Sequence, residues 1–150
     1  IALELAQNKA FSVFQTVKHD SNNTDFFIIG ADQLCVMDDV IFNKPMTPEK
    51  AVKQLTILNG KEHALISALS LFCNGEEVWS TVDSVEMKMK DLPKSMIESY
   101  VSLDNPIHSC GAYYFEKNGH QLFESVSGSE DTILGLNCEE LVPKLKQVCS

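Results

Sequence analysis

The sequence predicts an α/β fold in which a mixed, twisted sheet carries helices on both of its faces. Segments with apolar residues three and four positions apart, as in helices, alternate along the chain with shorter runs of β-favouring residues. Two tight-turn sequences, Asn74-Gly75 and Lys117 to His120, place hairpins within this alternation. Because hairpins join antiparallel strands, they exclude a purely parallel sheet. We expect one domain over the 150 residues, 1–150.

The chain opens with a segment that predicts an amphipathic helix over residues 1 to about 14. Its apolar residues include Ala6, Ala10 and Phe14, which recur every four positions. No capping side chain or turn precedes this helix, although helices usually begin with one. We therefore expect that a part of the domain precedes the sequence. A polar loop, residues 18–25, follows the helix.

Residues 26–45 carry the pattern that best indicates chemistry. The first four residues, 26–29, are apolar and β-favouring, which predicts a short strand buried on both faces. Gly30 follows, and there we expect the chain to change direction. Asp32 comes next, in the position where open α/β sheets bind ligands beyond their strand ends. This position makes Asp32 a candidate acid or base, and the alternative is a carboxylate that caps the strand end.

The end of the same stretch contains a candidate cation, Lys44. Lys44 stands beside Pro45, whose fixed φ stiffens the chain there. If the short strands on either side of Asp38-Asp39 form a hairpin, Lys44 is carried back toward Asp32. From the residues alone, however, a lysine in this position is more often a surface lysine.

The remaining elements follow from caps, turns and periodicity. A helix is predicted from Thr47-Pro48, with a capping hydroxyl and an N-terminal proline, to Asn59-Gly60. Pro143 lies within the last predicted helix, so either the first turn is irregular or the helix begins at Pro143. The other predicted elements are a strand over 63–73, its hairpin partner ending at 85–90, a helix over 92–104, a strand over 110–116, a returning strand over 121–126 and a loop over 127–132.

Composition excludes some classes of function and indicates the cellular compartment of the protein. The net charge of -9 argues against binding to nucleic acid or to anionic membranes. The sequence contains no apolar run long enough to span a bilayer. Its five cysteines have neither CxxC spacing nor nearby histidine pairs, which favours reduced, mostly buried thiols over a zinc site. These features predict a cytoplasmic protein.

Six short motifs in a fixed order give the sequence a family resemblance. They are Leu5-Ala6-Gln7-Asn8-Lys9-Ala10, Gly30-Ala31-Asp32-Gln33, Asn43-Lys44-Pro45, Asn59-Gly60-Lys61-Glu62-His63, Cys110-Gly111-Ala112-Tyr113 with Glu116, and Thr132-Ile133-Leu134-Gly135-Leu136. Each motif is weak alone, but their order and spacing are jointly specific. With them the chain resembles the Maf family of house-cleaning nucleoside triphosphate pyrophosphatases, over the C-terminal three-quarters of a family member.

The resemblance implies a reaction and the residues that perform it. Family members hydrolyse a nucleoside triphosphate between the α and β phosphates, which requires a base, phosphate-binding cations and a divalent cation, Mg²⁺ or Mn²⁺. Asp32 matches the proton acceptor and a metal ligand, and Lys9 and Lys44 match the phosphate-binding lysines. Without the resemblance, Lys9 would be read as a surface residue of a helix. Family members commonly form homodimers.

The resemblance also implies a substrate. One subgroup of the family acts on 7-methyl-GTP and carries Gln and Glu where Gln33 and Glu116 stand here. A carboxylate can accept hydrogen bonds from N1–H and the exocyclic amine of guanine, and the methylated ring is cationic. The sequence therefore predicts that Gln33 and Glu116 contact the base, although Glu116 alone would be read as an exposed strand residue. We interpret His63 as a structural hydrogen-bonding residue, and Trp79 as a core or surface residue.

Departures from the family pattern support a rival hypothesis. The family's first strand and the Ser-x-Ser-x-Arg-Arg loop after it have no counterpart here, so the resemblance implies that both are missing from the sequence. In addition, Asn43 replaces a usual glycine, and His120 stands in a normally glycine-rich turn. Loss of cationic phosphate donors costs about three powers of ten in rate. The alternative is therefore a truncated remnant, inactive or weakly active, that serves as a non-enzymatic binding or regulatory protein.

Overall fold

A computed structural model describes residues 1–17 and 25–148 of the chain. The predicted polar loop lies outside the described residues, except for Asp25. The helices are α1 (Ala2–Val17), α2 (Pro48–Leu58), α3 (Lys94–Asp104), α4 (Glu130–Ile133) and α5 (Cys138–Val148), and the strands are β1 (Phe27–Met37), β2 (Val40–Phe42), β3 (Glu62–Cys73), β4 (Glu76–Met89) and β5 (Phe123–Ser127).

The five strands form one antiparallel sheet in the order β2-β1-β3-β4-β5, and the predicted α/β class is confirmed. Two hairpins have two-residue turns in which both residues have positive φ. These turns are Asp38-Asp39, at 49° and 62°, and Asn74-Gly75, at 51° and 91°. Positive φ at both central positions matches the right-handed twist of the flanking strands. The predicted hairpin at Asp38-Asp39 is thereby confirmed, with Met37 opposite Val40.

Two predictions about strands are wrong. β1 does not end at Ile29 but continues through Gly30 to Met37, and Ile29 is 41% exposed rather than buried. The predicted strand over 110–116 is a 3₁₀ turn, Cys110–Ala112, followed by a loop. Gly111 and Ala112 have φ of 79° and 64°, and two consecutive left-handed residues cannot continue an extended strand.

The predicted cap of α2 is confirmed, whereas the predictions for the C-terminal elements need correction. The Thr47 hydroxyl accepts a hydrogen bond from the Lys50 amide at 3.3 Å, as expected of the residue that caps α2. β5 pairs with β4, with Met87 opposite Val126, and so does not return along the predicted 110–116 strand. The short helix α4 occupies part of the predicted loop over 127–132. α5 begins before Pro143, at Cys138.

The chain forms two compact units, and the prediction of one domain over residues 1–150 stays a prediction. The first unit comprises Ile1–Gln33, Ile66–Asp83 and Glu130–Ser150. In it, α1 covers one face of the strands through a buried cluster of Ala10, Ile28 and Phe72.

The second unit comprises Leu34–Leu65 and Ser84–Ser129. Its helices α2 and α3 pack against each other. The buried side chains of these two helices are Ala51, Leu55, Leu58, Ile97, Tyr100 and Val101.

Candidate active site

A close approach between α1 and β1 determines the geometry of the candidate site. A Cβ atom at Gly30 would lie 2.0 Å from the Ala6 carbonyl oxygen and 2.9 Å from the Ala10 Cβ. Only glycine therefore allows the helix to lie this near the strand. Gly30 does not redirect the chain, as the sequence suggested, because β1 passes straight through it. Its role is to admit the helix that carries Lys9.

Lys9 and Asp32 are the two predicted site residues that the structure brings together. The Lys9 ammonium donates a hydrogen bond to the Asp32 carboxylate and a second, of 3.2 Å, to the Ala31 carbonyl. The Asp32 side chain is only 13% exposed, whereas that of Lys9 is 58% exposed. The pair thus combines a largely buried carboxylate, suited to act as a base, with a cation that solvent and a charged ligand can reach.

Gln33 leaves β1 on the face opposite to Asp32, because successive side chains of a strand alternate. Its amide nitrogen donates to the Ser67 hydroxyl at 3.0 Å and to the carbonyls of Thr132 and Ile133 at 3.0 and 2.8 Å. The Ser67 hydroxyl in turn donates to the Thr132 carbonyl at 2.7 Å, so its oxygen is left to accept from Gln33. Gln33 thereby ties α4 to the sheet, and its proposed contact with a base stays a prediction.

Sequence reasoning missed the other members of this polar cluster. Ser67 and Thr132 are buried, and the Thr132 hydroxyl donates to the Asp83 carboxylate at 2.6 Å. Thr132 had been placed in a loop, and nothing local marks Asp83 as its acceptor. Residues so far apart in sequence can be associated only once the strand order is known.

The other two predicted site residues lie in the second unit and are exposed. Lys44 follows β2 and precedes the buried Pro45, and the Gln54 amide donates to the Asn43 carbonyl at 2.6 Å beside it. Glu116 stands in a turn between Tyr114 and Asn118, and not in a strand as predicted.

His63 is confirmed as a structural residue. It is buried, its Nε2 is hydrogen-bonded to the Tyr113 hydroxyl at 2.8 Å, and its ring packs against Phe123. Burial lowers the pKa of His63 to about 4, so the ring is neutral near neutral pH. Burial, together with the neighbouring Cys110, raises the pKa of the Cys35 thiol, which agrees with a buried and unreactive cysteine.

The family model described as Maf-like protein matches residues 1–148. The chain belongs to the Maf family. It is 39% identical over 145 residues to a nucleoside triphosphate pyrophosphatase of Legionella pneumophila strain Paris, covering 97% of this chain and 70% of that relative. It is 40% identical over 118 residues to a 7-methyl-GTP pyrophosphatase of Bdellovibrio bacteriovorus, covering 78% and 62% of the two chains. A 7-methyl-GTP pyrophosphatase of Brucella abortus is 36% identical over 149 residues, covering 98% and 72%.

Pyrophosphatases of the Maf family generally depend on a metal ion. Within residues 1–17 and 25–148 of this Maf protein, no three His, Cys, Asp or Glu side chains are grouped closely enough to hold one. Asp32 is the candidate ligand. A single carboxylate fits a hard cation whose remaining ligands are substrate phosphates and water. No helix in the described part of the chain is long and apolar enough to cross a membrane.

Proposed function

We propose that the protein hydrolyses a nucleoside triphosphate between the α and β phosphates and releases a nucleoside monophosphate and pyrophosphate. The contact between the Lys9 ammonium and the Asp32 carboxylate carries this proposal. It supplies a base and a phosphate-binding cation side by side, and the relatives are named as pyrophosphatases of this kind. These names favour an enzyme over the non-enzymatic remnant.

In the proposed mechanism the substrate competes with Asp32 for Lys9. The triphosphate carries more negative charge than one carboxylate, so the exposed Lys9 ammonium turns toward the phosphate oxygens. The released Asp32 carboxylate then accepts a proton from the attacking water, and the P–O bond to pyrophosphate breaks. Lys44 is proposed as a second phosphate-binding cation, on the resemblance alone. A bound Mg²⁺ or Mn²⁺, held by Asp32, would neutralise charge on the phosphates.

The proposed substrate within this class is 7-methyl-GTP. Glu116 supports it, because its exposed carboxylate can accept hydrogen bonds from the guanine edge and attract the cationic methylated ring. Two of the relatives are named 7-methyl-GTP pyrophosphatase. Gln33 is retained as the second specificity residue, acting either on the base or through the α4 segment that it holds.

The decisive experiment replaces the proposed base. In Asp32→Asn we expect pyrophosphate release from 7-methyl-GTP to fall by at least about 100-fold, since general-base catalysis contributes that much. KM should change little. Asp39→Asn is the matched control, because Asn tolerates the positive φ of that exposed turn position. Wild-type turnover in Asp32→Asn would overturn the role of Asp32 as the base. Substrate binding by the wild type without pyrophosphate release would instead favour the non-enzymatic alternative.

We also propose that the protein is a cytoplasmic homodimer that uses neither nucleic acid nor membrane as a partner. The acidic composition supports this proposal, as do the cysteines of the described residues, which are all free. Light scattering coupled to size-exclusion chromatography should give twice the chain mass, and cell fractionation should recover the protein with cytoplasmic markers. A monomeric mass across the micromolar range would contradict the dimer.

A further inference from the structure

We propose that Tyr100 and Asp104 are positioning residues that hold the main chain on both sides of Glu116 and so determine the preference for 7-methyl-GTP over GTP. This inference rests on the proposed function, in which Glu116 contacts the base. The two residues lie four positions apart on α3 and therefore project from the same face of that helix. Neither belongs to the motifs that carry the family resemblance.

The first anchor holds the chain just before Glu116. The Tyr114 amide donates a hydrogen bond to the Tyr100 hydroxyl at 2.9 Å. The Tyr100 ring is buried, and burial raises the pKa of its hydroxyl, which therefore stays protonated. The Asp104 carboxylate lies near this hydroxyl, and its negative charge also raises the pKa of Tyr100.

The second anchor holds the chain just after Glu116. The Asn118 amide donates to Oδ2 of Asp104 at 3.0 Å, and the Asn118 side chain donates to Oδ1 at 2.8 Å. Burial raises the pKa of Asp104, but the hydrogen bonds from Asn118 outweigh it and hold the pKa below its usual value. Two residues on one face of α3 thus hold the two sides of the turn, Tyr100 through Tyr114 and Asp104 through Asn118.

These anchors act where no strand holds the chain. The segment carrying Glu116 is a turn, so no ladder of strand hydrogen bonds fixes it. The Gly119 amide closes the turn by donating to the Tyr114 carbonyl at 3.0 Å, and a Cβ at Gly119 would lie 2.5 Å from that same oxygen. Glu116 is exposed at the outer part of this closed turn. The hydrogen bonds of its neighbours Tyr114 and Asn118 therefore set its position.

The first test measures the anchors without relying on activity. Hydrogen exchange of the amides in residues 114–119 should be about ten-fold faster or more in Tyr100→Phe and Asp104→Asn, because each removes a hydrogen bond that closes the turn. Ser102→Ala removes a hydroxyl from an exposed position of the same helix and should leave exchange unchanged. Tyr100→Phe keeps the buried ring, so it remains informative if Asp104→Asn does not fold. Unchanged exchange in Tyr100→Phe would overturn the inference.

The second test concerns specificity. In both α3 variants, the ratio of kcat/KM for 7-methyl-GTP to that for GTP should fall about ten-fold, mainly through KM for 7-methyl-GTP, with kcat nearly unchanged. Glu116→Gln is measured in parallel. If Glu116→Gln lowers the ratio while Tyr100→Phe retains it, the positioning role is overturned and the proposed function stands. If Glu116→Gln leaves the ratio unchanged, the proposed base contact fails and this inference fails with it.

Discussion

The contact between Lys9 and Asp32 should matter more for catalysis than for stability. An exposed ion pair adds little to stability, with typical values of about 0–1 kcal/mol, because water screens the charges and the long lysine side chain loses entropy. The Asp32 carboxylate is largely buried, but the Lys9 side chain is more than half exposed, so water can take the place of the ammonium and the pair behaves as one of this class. Its importance should therefore be seen in catalysis and not in folding.

Replacing Lys9 with methionine tests this distinction. Lys9→Met should lower kcat/KM by about 100-fold, because a phosphate loses a charged donor, while the melting temperature shifts by less than about 3 °C. Lys9→Arg should recover part of the loss, since the charge is kept. Lys53→Met, at an exposed position of α2, is the matched control for steady-state kinetics and thermal unfolding. Wild-type kinetics in Lys9→Met would remove Lys9 from the site.

Gln33 should show the opposite pattern, because its amide nitrogen donates to three acceptors in a part-buried cluster. Gln33→Glu places a carboxylate against two carbonyl oxygens, and should reduce the free energy of unfolding by about 2–4 kcal/mol. Urea unfolding measures the loss, with the exposed Gln121→Glu as the matched control. A loss below about 0.5 kcal/mol would show that the cluster is not structural.

At the scale of elements, the packing of α1 on β1 depends on Gly30, which has no side chain. The Ala6 carbonyl oxygen lies 2.0 Å from the place that a Cβ of Gly30 would take, and it belongs to the main chain of a helix. A rotamer change cannot relieve such a contact. The helix itself must move, and Lys9 must move with it.

Gly30→Ala should therefore affect both stability and the site. We expect it to reduce the free energy of unfolding by about 2–4 kcal/mol, through the overpacked contact, and to lower kcat/KM. Gly135→Ala is the comparison variant, since its added Cβ would meet only the Gln33 amide nitrogen, at an ordinary contact distance of 3.9 Å. Its cost, about 1–2 kcal/mol, therefore comes from the φ of +86°. If the two variants lose equal stability in urea and Gly30→Ala keeps its activity, the close approach does not position Lys9.

Local signals were sufficient for the helices and the tight turns. Thr47 before Pro48, and Asn74 before Gly75, specify structure through their own backbone and side-chain chemistry, and the structure has both features. The role of Gly30 was predicted wrongly because the atoms that require a glycine there belong to α1, twenty or more residues away in the sequence. Ala112 was misread because an alanine with a φ of 64° follows from its surroundings and not from its own preference.

The candidate site was predictable only in part. Asp32 could be selected from its position and Lys9 only through the family resemblance, yet their contact required the packing of α1. The anchors of Glu116 could not be found in the sequence at all, because Tyr100 and Asp104 look like ordinary positions of an amphipathic helix. Hydrogen-bond partners that lie far apart in the chain produce no periodic pattern in the sequence.

At the scale of the whole molecule, one buried histidine should make stability depend on pH. The pKa of His63 is about 4 in the folded protein, against about 6.5 in an unfolded chain. Below pH 6.5 the unfolded chain therefore binds a proton that the folded protein does not bind until about pH 4. Above pH 6.5 the neutral His63 does not reduce the free energy of unfolding. As the pH falls from 6.5 toward 4, the free energy of unfolding decreases by about 3 kcal/mol.

Urea unfolding at pH 7 and at pH 4.5 measures this loss. His63→Gln should lose clearly less stability over the same interval than the wild type, although it is less stable at pH 7 because the contact with Tyr113 is weakened. His120→Gln, at an exposed position, should behave as the wild type does. Parallel pH curves for the wild type and His63→Gln would assign the acid sensitivity to other groups.

The opposite directions of Asp32 and Gln33 make β1 unusually sensitive to insertions and deletions. A strand repeats every two residues, so removing one residue between Gly30 and Asp32 would exchange the faces on which the two side chains lie. The carboxylate would then point toward α4 and the amide toward Lys9, with the composition of the protein almost unchanged. The length of β1 between the glycine and the carboxylate therefore cannot change by an odd number of residues without moving both side chains to the wrong face.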